Sequence, residues 1–182
     1  MIIALGSNPW TDINRISKIL KQYYGFKVLY ISRKIYISCC EAFGINFTDF
    51  NIRDEKTTKT YKLYGMSAKK IFSEYVKFLC SINSNIFSIL TDRIINTIKK
   101  NNRHNYVVPD VKRLSEYNKL KNEGAIMIKV EKKNSTDKSY KELDGAEWDF
   151  VITYSDNYED LLLQINFIMN KLGIEEKQHR LL

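Results

Sequence analysis

The chain has 182 residues, 44% of them hydrophobic, with seven glycines and two prolines, enough to bury one substantial core and too few for two ordinary domains. No apolar run approaches the roughly 20 residues that span a bilayer, and Met1-Ile-Ile-Ala-Leu5 is too short and uncharged at its flank for a secretion signal. A single intracellular domain over residues 1–182, with no membrane partner, is expected. The net charge of +8 is unevenly placed: residues 93–141 hold thirteen Lys/Arg against five Asp/Glu, residues 142–182 three against nine.

In chain order, residues 1–6 read as a short buried strand, and Ile13–Tyr24 places Ile13, Ile16, Ile19, Leu20 and Tyr23 on one helical stripe. Gly25 ends that helix, and residues 26–31 read as a second strand through Val28, Leu29 and Ile31. Residues 38–50 show no clear period, and residues 51–60, polar and charged, read as an exposed loop or the edge of an insertion. Ser67 suits the N-cap of a helix carrying Ile71, Phe72, Tyr75, Phe78 and Leu79. After the break at Asn83–Asn85, residues 86–100 form another amphipathic helix. The stretch from Asn105 to Asp110 is a strand ending in Pro-Asp, followed by a helix over 114–122, the closing Gly124 and a strand over 125–130. Residues 131–142 are charged, residues 149–154 make a last strand, and residues 160–172 a last helix. Strands alternating with helices predict a three-layer α/β/α domain with a mainly parallel sheet. Ligands of such sheets bind at the carboxyl ends of strands, which places Gly6 to Asn14, Asp110 to Lys112 and the loop after Ile152 on one rim.

Three cysteines, Cys39, Cys40 and Cys80, give neither a disulfide framework nor a CxxC pair. His104 and His179 lack the neighbouring carboxylates or thiolates of a zinc site, so no metal is expected.

The segments Tyr106-Val-Val-Pro-Asp-Val-Lys112 with Glu116 and Gly124-Ala125, Glu142-Leu-Asp-Gly-Ala-Glu-Trp-Asp-Phe-Val-Ile152, and Tyr64-Gly-Met-Ser67 carry a resemblance. Together they resemble the deoxynucleoside monophosphate kinases of bacteriophages and large DNA viruses, distant relatives of the animal phosphomevalonate kinases. The resemblance spans nearly the whole chain and is strongest over residues 105–172. It implies a P-loop kinase-like fold, with ATP and Mg²⁺ as cofactors of an active member.

The positions that would handle phosphate depart from that pattern. A loop of the form GxxxxGK[ST] needs a second glycine, a lysine for the β and γ phosphates and a hydroxyl for Mg²⁺. Counted from Gly6, the chain has Thr11, Asp12 and Asn14 there, with Pro9 and Trp10 adding bulk. A carboxylate at Asp12 repels a phosphate charge at 4 Å by about 1 kcal/mol in water and about 4 kcal/mol at an effective dielectric near 20. Lys112 stands where the family has arginine and loses its bidentate fork. Val76-Lys77-Phe78 and Ser81 replace a Gly-Thr-Asp/Glu and its following arginine, and Tyr154 replaces a late asparagine.

The expectation is therefore a catalytically inactive kinase-like protein, without catalytic residues or cofactor, kept as a structural or interaction module, in the host cytoplasm or the virion of a large DNA virus. Asp110, Lys112 and Tyr154 would be remnants of the nucleotide site. The competing reading is an active enzyme binding ATP and Mg²⁺, in which Lys18 or Lys112 replaces the missing lysine and Asp110 holds the metal; otherwise Asp110 caps the helix that follows it. A third reading is nucleic-acid binding through the basic middle, with Tyr106, Tyr117 and Tyr140 as stacking platforms. Lys129, Lys132 and Lys133 mark the expected basic face, its partner an acidic viral protein, with weak nonspecific nucleic-acid contact at most and a homodimer left open.

Overall fold

A computed structural model describes residues 1–7, 13–51, 60–61, 64–132 and 141–177. Five parallel strands form one sheet in the order β2-β5-β1-β6-β7: β1 is Ile2–Ser7, β2 Lys27–Val28, β5 Tyr106–Val111, β6 Ile126–Lys132 and β7 Phe150–Tyr154. The helices are α1 (Ile13–Tyr24), α2 (Arg33–Phe43), α3 (Ala68–Ile82), α4 (Ile86–Lys100), α5 (Leu114–Asn122) and α6 (Tyr158–Lys171), and a two-stranded antiparallel ribbon pairs β3 (Thr60–Tyr61) with β4 (Met66–Ser67). This is the three-layer α/β/α architecture expected from the alternation of strands and helices. No helix among the described residues is long and apolar enough to cross a membrane.

The chain divides into two compact units, Met1–Ile31 with Thr91–Leu182, and Ser32–Leu90; the sequence reading drew no boundary at either point. In the first, β1 lies between β5 and β6, with Ile3 facing Val107 and Ile126 in register. Residues 3–6 are all buried, the signature of a central parallel strand covered on both faces. Ile3 and Leu5 pack with Ile16, Ile19 and Leu20 of α1 and with Leu161, Ile165 and Ile168 of α6. Strand alternation turns Ala4 and Gly6 to the opposite face. The crossover from β1 to β2 runs one way along the sheet and that from β5 to β6 the other, so right-handed connections put α1 and α5 on opposite faces.

The second unit joins α2, the β3–β4 ribbon and α3 around Cys39, Ile45, Ala68 and Ile71, with Cys40, Phe43, Tyr61, Tyr64, Met66, Phe72 and Tyr75 packed against them. Tyr36 of α2 stacks on Phe72 of α3 at 3.9 Å and 8°. Burial pushes the Cys39 thiol up to about 11, with a smaller contribution from Cys40. Ser67 caps α3, its side chain accepting the Lys70 N–H at 3.3 Å. The helix α2 falls partly in the stretch without a clear period: only Ile35 and Cys39 of its eleven residues are buried, too narrow a stripe to register as amphipathic.

Candidate functional site

The connections leave β1 and β6 in opposite directions, which makes their carboxyl ends the place where an open parallel sheet presents a crevice. The neighbouring end of β5 completes the rim. Gly6 lies in β1 next to Lys129 of β6 and Val111 of β5. Thr11 and Asp12 fall outside the described residues. Asn14, in the first turn of α1, accepts the Tyr30 hydroxyl at 2.9 Å, and the adjacent Arg15 reaches the carbonyl of Asp156 at 2.9 Å.

Gly6 has a packing reason to be glycine. A Cβ built on it would lie 2.3 Å from Cη2 of Trp148, so the indole occupies the space a side chain would need. Trp148 packs edge-on against Tyr117 of α5 at 5.2 Å and 71°. Tyr117 in turn donates its hydroxyl to the carbonyl of Glu147, and Lys121 donates to that hydroxyl at 3.2 Å. This last bond, the largest of several effects, raises the Lys121 ammonium above its ordinary value. The segment leading into β7 is thus strapped across the sheet face, and no ligand is needed to account for the glycine.

Asp110 is positioned by an irregularity. The β1–β5 register passes from Ala4↔Val108 to Gly6↔Val111, one extra residue on β5, at the place where Pro109 removes a ladder donor. There the Asp110 carboxylate accepts the N–H of Ile31 at 2.8 Å, 79 residues away. Capping of α5 falls instead to Glu116, whose Oε2 accepts the N–H groups of Lys112 at 2.7 Å and Arg113 at 3.0 Å, while Oε1 meets the Arg113 guanidinium at 3.2 Å. Glu116 is 1% exposed. Burial raises its pKa above the ordinary glutamate value; the two backbone bonds and Arg113 oppose the rise, and Asp110 adds to it.

The other predicted residues scatter. Lys112 is exposed beside this turn. Tyr154 is 7% exposed and belongs to the core cluster under α1 and α6. Lys129 pairs with Glu131 at 2.7 Å. Lys132, three positions on in the same strand, faces the other side of the sheet, and Lys133 lies outside the described residues. Elsewhere in the basic stretch Lys99 pairs with Glu123, Lys119 with Asp92, Lys121 with Glu147 and Arg113 with Glu116. Among the described residues no group of three or more His, Cys, Asp or Glu converges as a metal site.

Chemically, the described rim presents carboxylates engaged with backbone N–H groups and cations at separate strand ends. Sequence reasoning missed Trp148 as the reason for Gly6 and Ile31 as the partner of Asp110, since both pairings join distant segments. No protein-family model matches this chain, and no curated protein matches it.

Proposed function

We propose that the protein is a kinase-like domain that does not transfer phosphate and serves as a structural or interaction module, in the cytoplasm of a cell infected by a large DNA virus or in the virion. The observation that carries this reading is the indole of Trp148 seated over Gly6: the residue that would open a phosphate loop is employed in packing. The same holds for Asp110, bonded to Ile31, and Tyr154, buried in the core. At sequence level Thr11 and Asp12 remove the glycine and lysine of the loop and put a negative charge in their place.

Calorimetric titration of the full chain with ATP and Mg²⁺, alongside a phosphoryl-transfer assay on the common deoxynucleoside monophosphates, tests this directly. No binding heat and no turnover are expected. Micromolar ATP affinity, or turnover lost in Lys112→Ala, would establish the active-enzyme reading instead.

A further inference from the structure

The unit Ser32–Leu90 carries an apolar hollow of about 210 Å³ beside α3. Phe43 sits edge-on to Tyr64 at 5.5 Å and to Tyr75 at 5.8 Å, and Met66, Ile71, Phe78 and one charged residue, Glu74, complete the lining. The hollow is smaller than the roughly 300–1,000 Å³ of small-molecule sites, a size for side-chain anchors rather than for a cofactor. Phe78 of that lining is 58% exposed, and Ile82, one helical turn on along α3, is 68% exposed. Beside the hollow two cations share one carboxylate, for Lys70 and Lys77 both reach the lining residue Glu74 at 3.0 Å, and α3 holds Lys69 besides, which leaves the surroundings of Glu74 net positive.

The other unit carries the counterpart. On α6, Leu163 is 67% and Phe167 61% exposed. Four residues apart, they stand on one helix face about 6 Å from each other along the axis. Glu159 and Asp160 occupy the first turn of that helix, in the segment where nine acidic residues face three basic ones. Lys171 lies 5.7 Å from the Phe167 ring centroid at the far end, so the exposed face runs from acidic to basic. One chain thus presents an acidic-ended helix with two large unburied anchors and, beside the lysines of α3, an aromatic hollow of side-chain size.

We propose that the hollow binds α6 of a second copy of this chain, Leu163 and Phe167 entering between Tyr64, Tyr75 and Phe78 while Glu159 and Asp160 meet Lys70 and Lys77. This is a helix-in-groove contact and stands independently of the kinase reading. Two different patches meet, so the contact is heterologous: it closes into a ring or grows as a chain. One helix face in one groove belongs to the small class of interfaces, so association depends on concentration.

The test is sedimentation velocity of the full chain over a concentration series, with the surface variants Phe167→Asp and Phe78→Asp. The wild type is expected to self-associate and each variant to do so about tenfold more weakly or less. Phe167→Asp keeps its hollow and Phe78→Asp keeps its helix, so an equimolar mixture is expected to form a heterodimer that neither forms alone. Reversing the helix charge with Glu159→Lys and Asp160→Lys should weaken association, and adding Lys70→Glu and Lys77→Glu to the same chain should restore it. A wild type monomeric at every concentration, a mixture that stays monomeric, or a loss of association confined to Phe167→Asp would overturn the proposal, the last by pointing to pairing of α6 with itself.

Discussion

In the unit built on the sheet, Ile3, Leu5, Ile16, Ile128, Leu161 and Ile165 are withdrawn from water to 1% exposure or less, because two helical layers enclose a parallel sheet. In Ser32–Leu90 the cluster between α2, the ribbon and α3 gathers largely aromatic, half-buried side chains around four buried residues, and Phe47, Phe78 and Ile82 remain more than half exposed. A sheet covered on both faces shuts water out of its core, and the two most exposed large apolar side chains among this unit's described residues, Leu163 and Phe167, lie on the outer face of α6. Two helices and a ribbon of two residues per strand do not enclose a core in this way, and their uncovered rings are available for recognition.

Core truncation should separate the two regions most strongly. Leu161→Ala removes a fully buried side chain between α6 and the sheet and is expected to cost about 3–5 kcal/mol in urea unfolding. Phe72→Ala, which removes a half-buried ring stacked on Tyr36, should cost about 1–2 kcal/mol. Equal costs would mean that the smaller unit is as tightly enclosed as the larger.

The next effect concerns the rim. Gly6→Ala places a methyl 2.3 Å from Trp148 and should destabilise by about 1–3 kcal/mol. In a Trp148→Leu background that penalty should largely disappear, giving a coupling energy of about 1 kcal/mol or more in the double-mutant cycle. Additive costs would separate Gly6 from Trp148 and reopen a ligand-binding reason for the glycine.

The smallest effect is a slope. Glu116 has its pKa raised by burial, so the folded state holds this proton more tightly than the unfolded chain does. Its contribution to stability is fully present below the ordinary glutamate value and is lost as pH rises through the raised value. Unfolding midpoints measured upward from pH 4 should therefore show a falling component in the wild type that Glu116→Gln lacks. Identical pH profiles would show that the bonds from Lys112, Arg113 and its guanidinium cancel the burial cost.

The rim's approximate location was legible because Gly6 and Asp110 stand at the ends of apolar runs, and strand ends carry ligands in parallel sheets. The roles of its residues were not. Tyr154 reads as a site position from its place after Asp-Phe-Val-Ile, yet alternation along β7 sends it inward with Ile152. Asp110 reads as a cap for α5, yet the extra residue at Pro109 delivers it to Ile31. The basic stretch reads as one face, yet among its described residues five cations are in ion pairs, and Lys129 and Lys132 point to opposite sides of the sheet.

Local chemistry determined the spans of α1, α4 and α5, because apolar spacing, breakers and glycines act within a few residues of the backbone they control. It also pointed to a parallel sheet, since strands alternate with helices along most of the chain, although β6 and β7 pair in parallel with no α-helix between them among the described residues. Tertiary structure alone decided which glycine lies under Trp148, which carboxylate holds Ile31, and which aromatic side chains stay uncovered. Those outcomes depend on pairings between segments tens of residues apart, whose partners are set by the closing of the whole core rather than by any local pattern.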